Sequence, residues 1–454
     1  MDPWGRALGA AAVALSVALA AAGCGNLGGP PPEGACLPLP ASASQRTPQA
    51  AGGGKEAGGG SVRVRPQEGR SRLVVHLRAG VPRASVRQVA EVEGARLLFE
   101  IPQLGVAVVE VGPGQADRVA SAYRASESVR LVEPDRLVFL QKEPDDPVYR
   151  YQWHYRNVQL PRAWECTTGR DWVVVAVIDD GITDHPDLRG LTTAGWDFRD
   201  RDPDPTWPGC ASDVREFSHG THVAATVAAL TDNGVGVAGV NWGPGGARVM
   251  PLRAFGPCAE DGGYWADVAA ALVYAADRGA HVVNMSFGGP PSEVAAAAVR
   301  YAYSKGVALV AAAGNQYPQP VEYPAAYPEV IAVGATNCRD ESTFYSAEGP
   351  EVDVVAPGGS TRTDCGLDGE AGGDLVWSAS TSLSAGHGYF RAQGTSMAAA
   401  HVSGVVALYF SRGPIGPESA RQRLRETAKD LGVPGRDDRF GWGLVDARLV
   451  VGAR

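Results

Sequence analysis

The sequence predicts an α/β fold with a mostly parallel sheet flanked by helices, preceded by a small α+β unit. Three observations predict it. From about Asp146 to the C-terminus, apolar strand-like runs alternate with helix-like runs, the pattern of a parallel sheet covered on both faces. Residues 71–141 carry a shorter set of strand and helix patterns of their own. Residues 24–70 are rich in Gly, Pro, Ala and Ser without apolar periodicity; such a stretch cannot bury enough surface to offset chain entropy and reads as a flexible tether. A length of 454 residues fits two or more folded units.

Taken in order, residues 1–23 come first. Arg6 precedes ALGAAAVALSVALAAAG, a run too short for a comfortable membrane span and of the size of a signal-peptide core. Export to the medium or the cell envelope follows. The run ends in AAGC at Cys24, which resembles the lipobox of bacterial lipoproteins and implies lipidation of Cys24; Ala21 stands where that pattern usually has Leu. A plain secretory signal cut after a small residue is the alternative.

In residues 71–141, RLVVHL and GVAVVEV read as strands, ASVRQVAEVEG and GQADRVASAYRAS as short helices, and VRLVEPDRLVFL as a last strand. That order and size match a ferredoxin-like split βαβ module. In residues 142–454, WVVVAVID, RVMPLRAF, HVVNMSF, VALVAAAG and VIAVGAT are the strands. YWADVAAALVYAADRG, SEVAAAAVRYAYSKG and the run after Ser396 are the helices. Function belongs at the carboxyl ends of such strands.

Bulk properties exclude some partners. A net charge of −9 without a basic cluster argues against nucleic acid, and 44% hydrophobic with 20% charged residues gives no sign of a polytopic membrane protein. Membrane contact would come only through the lipid on Cys24. Seven cysteines occur without a CxxC pair, so an exported chain favours disulfides over zinc.

Three stretches carry chemistry. VAVIDDG (175–181) ends a buried strand in Asp179; SHGTHVAATVAAL (218–230) places His219 before a helix; GTSMAAAHVSG (394–404) places Ser396 at a helix start. Each alone also reads as a cap or turn. Together, in the order Asp, His, Ser, they supply a nucleophile, a base to take its proton and an acid to fix the base's tautomer. The amides and positive dipole end at the start of a helix would stabilise a developing oxyanion.

These three motifs strongly resemble those of the subtilisin-like serine peptidases, over roughly Asp146 to the C-terminus. The resemblance implies Asp179 as orienting acid, His219 as general base and Ser396 as nucleophile, with no catalytic metal and with His222 structural. Asn315, ending VALVAAAGN, looks like the family's oxyanion-hole asparagine. Ser286, Phe287 and Gly288 in NMSFGG, and Gly262, Gly263 and Tyr264 in DGGYWAD, resemble its two substrate-binding strands, between which an extended peptide adds as a strand. A broad specificity with an apolar or aromatic preference follows as an expectation. Residues 71–141 look like the family's propeptide, which helps folding and acts as an intramolecular inhibitor until a cut expected between about Leu140 and Asp145.

Calcium is implied by Asp146, Asp187 and Asn233, with the carbonyls of Thr231, Val235 and Val237 completing an oxygen shell. The pattern departs in two places: Ala400 replaces a proline after GTSMAA, and Asp180 replaces Thr or Ser beside the acid. Asp180 is expected to raise the pKa of the histidine. Placed on this scheme, Cys210 pairs with Cys258 and Cys338 with Cys365. Cys36 and Cys166 remain, bonded or free. The rivals are an inactive homologue serving as an envelope binding module, and an esterase. The esterase would show GxSxG and the order Ser, Asp, His, whereas Ala398 holds the last glycine position and the serine comes last.

Overall fold

The computed structural model describes residues 71–78, 80–81, 95–112, 114–135, 143–214 and 216–453. The signal, Cys24, the tether with Cys36, the helix expected from ASVRQVAEVEG, and residues 136–142, which hold the end of the expected last strand and the start of the expected cutting region, lie outside them. The chain divides into two compact units.

The first unit contains β1 (Ser71–Leu77), β2 (Arg96–Ile101), β3 (Val106–Val111), α1 (Ala116–Ala125) and β4 (Val129–Pro134). Its sheet runs β2-β3-β1-β4, every pair antiparallel. Leu73 and Val75 of β1, with Val109 and Val111 of β3, pack with Val119, Ala120 and Tyr123 of α1. The strand residues are two apart and the helix residues lie on one face, so each element buries a single side.

The second unit opens with short helices α2 (Trp153–Asn157) and α3 (Leu160–Trp164), then β5 (Val174–Asp179), β6 (Trp196–Asp197), α4 (His219–Val227) and β7 (Arg248–Arg253). There follow α5 (Trp265–Asp277), β8 (Val282–Met285), α6 (Glu293–Ser304), β9 (Ala308–Ala312), β10 (Val330–Thr336) and β11 (Val352–Pro357). A hairpin of β12 (Val376–Ser382) and β13 (Gly386–Ala392) leads into α7 (Thr395–Phe410), α8 (Pro417–Thr427) and α9 (Ala447–Val451).

The main sheet has the order β11-β10-β9-β8-β5-β7-β6, and all six pairings are parallel. The chain leaves β5 toward β6 and β7 on one side, then crosses to β8 on the other. That reversal leaves a crevice at the carboxyl end of β5. The sheet residues are near-continuously buried, which explains their unbroken Val and Ala runs. Helix α7 is buried along its whole length, packed against the sheet and α4, so apolar residues, most of them small, occur on every side, and its few polar ones are hydrogen-bonded, as Ser403 is to Asn284. Ala400 continues this helix, fully buried, without a break.

Two elements escape the apolar patterns. In β12 the buried positions include Ser378 and Ser380, whose hydroxyls donate to the carbonyls of His222 (2.9 Å) and Ser218 (2.6 Å). In β11 the buried Asp353 interrupts the run and accepts from Arg421 (2.9 Å) and Arg425 (2.7 Å) of α8. Disulfides join Cys210 to Cys258 and Cys338 to Cys365, and Cys166 is disulfide-bonded as well. Among the described residues no helix is long and apolar enough to cross a membrane.

Candidate active site

Asp179 is the last residue of β5 and 5% exposed. It holds His219 at the start of α4, whose Nδ1 lies 2.8 Å from Oδ1 and 3.0 Å from Oδ2. With Nδ1–H donating, Nε2 is left as the acceptor. Burial works to lower the His219 pKa, but Asp179, and after it Asp180 and Glu216, push it up to about 9.

Asp180 lies beneath the same helix. Its Oδ2 accepts from the amide of His219 (2.9 Å), and its Oδ1 from the amide of Gly220 (2.8 Å) and the hydroxyl of Ser218 (3.3 Å). Two otherwise orphan amides at the helix start are thus satisfied by one carboxylate, while the Ser218 hydroxyl also reaches the Gly181 carbonyl (3.1 Å). Burial, together with the charge of Asp179, raises its own pKa. His222 is buried, its Nε2 lies 3.2 Å from the carbonyl of Phe390, and burial lowers its pKa to about 3. It is a neutral packing residue.

Ser396 stands in the first turn of α7, capped by Gly394 at φ 153°. Its hydroxyl donates to the carbonyl of Ser286 (3.0 Å), and Ser286 Oγ donates in return to the carbonyl of Ser396 (3.0 Å). Behind them, Ser403 donates to Asn284 Oδ1 and Asn284 Nδ2 donates to Ser286 Oγ, both at 2.9 Å. This buried chain locks the end of β8 to α7.

Asn315 follows β9. Its Oδ1 accepts from the amide and the hydroxyl of Thr395, both at 2.9 Å. The oxygen is therefore spoken for, and Nδ2 remains as the donor of the side chain. A Cβ added to Gly394 would lie 3.6 Å from Asn315 Nδ2, 3.7 Å from the Ser396 nitrogen and 3.8 Å from Asn315 Oδ1, whose acceptor capacity Thr395 already uses. The two donors therefore flank one small volume, kept open by the absence of a side chain at Gly394. Thr395, Asn284 and Ser403 went unnoticed in sequence reasoning; the Thr of GTS was the available signal.

Of the expected substrate segments, 286–288 continues β8. Phe287 packs on Phe255 (centroids 4.7 Å apart) and Trp265 (6.3 Å). Gly263 pairs with Phe255 as an isolated antiparallel bridge, and Tyr264 is 71% exposed, so it is not a core aromatic.

The residues expected around a cation converge on the loop 231–237. Asp146 is buried; its Oδ2 accepts from the Asp232 amide (2.8 Å), and among the described residues its Oδ1 has no partner. Asp187 is buried and accepts from the Val237 amide (3.3 Å). Burial raises both carboxyls to about 6. Thr231 and Val237 are buried in the loop, whereas Asn233 and Val235 lie at its exposed rim, with Asn233 Oδ1 accepting from the Val235 amide (2.8 Å). Two buried carboxylates, one of them with the unpartnered Oδ1 of Asp146, form a donor set that fits a hard cation. Tyr389, which bonds Asp187, is an addition from the distant hairpin.

Comparison with known proteins places this architecture. The subtilase family profile matches residues 170–443, and the fervidolysin N-terminal prodomain profile matches residues 70–135. The thermophilic serine proteinase of Bacillus sp. (strain AK1) is 36% identical over 72% of this chain and 74% of its own length. The extracellular basic protease of Dichelobacter nodosus is 34% identical over 78% of this chain, which spans 62% of that longer protein. The crystal structure of fervidolysin from Fervidobacterium pennivorans, a keratinolytic enzyme related to subtilisin, superposes with a TM-score of 0.55 at 28% identity, covering 86% of this chain and 62% of that one. A parallel α/β sheet and these relatives define a serine protease. More particularly, the chain belongs to the subtilase family, and its first unit is a prodomain of the fervidolysin type.

Proposed function

We propose that the protein is an exported serine endopeptidase, made as a self-processing precursor, in which Asp179, His219 and Ser396 are the catalytic residues. The observation that carries this reading is the position of Asn315 Nδ2 and the Ser396 nitrogen around one point at Gly394, and the histidine oriented by Asp179 supports it. Ser396 Oγ turns from the Ser286 carbonyl, gives its proton to His219 Nε2 and bonds the scissile carbonyl carbon. The oxyanion forms between the two donors; losing one such donor typically costs about 2.7 to 4 kcal/mol. His219 then passes the proton to the departing amine, the C–N bond breaks, and water reverses the sequence on the acyl-enzyme.

Segments 286–288 and 262–264 take the peptide main chain as strands, and the apolar surface of Phe255, Phe287 and Trp265 takes an apolar side chain further along it. The prodomain inhibits until the chain is cut. Calcium, held by Asp146, Asp187, Asn233 and the loop carbonyls of Thr231, Val235 and Val237, supplies the positive charge this buried site lacks. Extracellular relatives support export; lipidation of Cys24 would add an anchor.

The test is a fluorophosphonate probe on the purified protein, followed by mapping of the label. Label on Ser396, lost in Ser396→Ala together with self-cleavage, is the expected result. A wild type that neither labels nor processes would make the chain a binding module instead.

A further inference from the structure

We infer that Glu322 selects a basic side chain, Lys or Arg, at the residue whose carbonyl Ser396 attacks; this rests on the peptidase reading above. Two strand extensions flank Ser396. Residues 286–288 accept its hydroxyl at the Ser286 carbonyl, and residues 313–315 reach its helix through Asn315 and Thr395. A peptide with its carbonyl carbon on Ser396 Oγ, and its oxygen between Asn315 Nδ2 and the Ser396 amide, runs its own main chain to either side. The side chain of that residue is left to enter the gap between the two extensions.

The gap is walled by glycine. A Cβ on Gly288 would fall 1.9 Å from Glu322 Oε2, and one on Gly314 would fall 3.2 Å from the same oxygen. Glu322 therefore occupies the space that opens where both walls lack side chains. Its segment is pinned to both extensions. The Glu322 amide donates to the Ala313 carbonyl (2.9 Å), the Gly289 amide to the Tyr323 carbonyl (2.9 Å), and the Tyr323 amide to the Gly289 carbonyl (3.1 Å). The carboxylate is thus positioned by the same backbone that positions the site.

Among the described residues the Glu322 carboxylate has neither a hydrogen-bond donor nor a cation beside it. It is half-buried, and burial raises its pKa. A half-buried carboxylate without a counter-charge lowers stability; a substrate ammonium or guanidinium supplies the missing partner and gains a charge-assisted hydrogen bond. A site that binds a polar group rejects the isostere lacking it far better than an apolar pocket rejects an extra methylene. The expected apolar preference thus does not hold at this position.

The experiment uses peptide anilides that differ only in the residue before the scissile bond: Lys, its neutral near-isostere norleucine, Phe and Glu. In wild type, kcat/KM for Lys should exceed that for norleucine by about tenfold or more, with Glu the poorest. Glu322→Gln should bring the Lys to norleucine ratio near one while still cleaving norleucine and labelling at Ser396. Glu322→Lys should make the Glu peptide better than the Lys peptide. A wild type without preference for Lys over norleucine, or a Glu322→Gln enzyme that keeps the preference, overturns the assignment and leaves the peptidase reading intact. A protein that cleaves none of the four and takes no label at Ser396 overturns both.

Discussion

Asp180 accepts from the amides of His219 and Gly220, so its carboxylate closes the start of α4 while lying beside the Asp179–His219 pair. Removing the charge but keeping the size, in Asp180→Asn, should lower the His219 pKa. The acid limb of kcat/KM then moves to lower pH; an unchanged pH profile would contradict this role. In wild type Asp179 and Asp180 hold the His219 pKa up at about 9. With His219 as the base, it is free only as pH rises toward 9, so kcat/KM should climb through the alkaline range. The stabilisation of His219 by its acids runs the other way: complete below the unfolded histidine value near 6.5, it is lost as pH rises through the folded one. Thr395 acts on Asn315 rather than on substrate. Thr395→Val should free the amide to turn and cut kcat on the order of tenfold or more with little change in KM, whereas a loss confined to KM would place Thr395 in binding.

Elements decide how firmly these side chains are held. The Cys210–Cys258 bridge links the loop ahead of α4 to the loop after β7, across a sequence separation of 48. Replacing both cysteines by serine should lower unfolding free energy by roughly 2–4 kcal/mol, read by denaturant melts. The same α/β elements show where patterning was legible. β5, β7, β8, β9 and β10 announced themselves as apolar runs because both of their faces are buried. β12 did not, because its inward face carries serines that answer carbonyls of α4, and a hydroxyl satisfied in this way has no apolar signature. β11 was hidden by Asp353, whose two arginine partners come from an element about 70 residues later in the chain.

For the molecule as a whole, the loop 231–237 is knit to Asp146 near the start of the second unit and to Asp187 between β5 and β6. Chelating calcium from the full chain should lower its melting temperature, and Asp146→Asn should abolish the difference between calcium and chelator; equal melting in wild type would remove the cation. The motifs VAVIDDG, SHGTHVA and GTSMAAAHVSG by themselves determined the family, the fold class and the identity of the candidate acid, base and nucleophile, because the order and residue types of a catalytic set are written along the chain. Their supports were not. Whether Asn315 faces Nδ2 to the site depends on Thr395, 80 positions on. Whether Asp180 is a cap depends on the turn that brings α4 to β5, and whether Glu322 is a surface acid or the floor of the gap depends on Gly288 and Gly314 meeting across it. Only the tertiary structure decided these, since hydrogen bonds and burial between distant segments have no period or spacing by which a sequence could declare them.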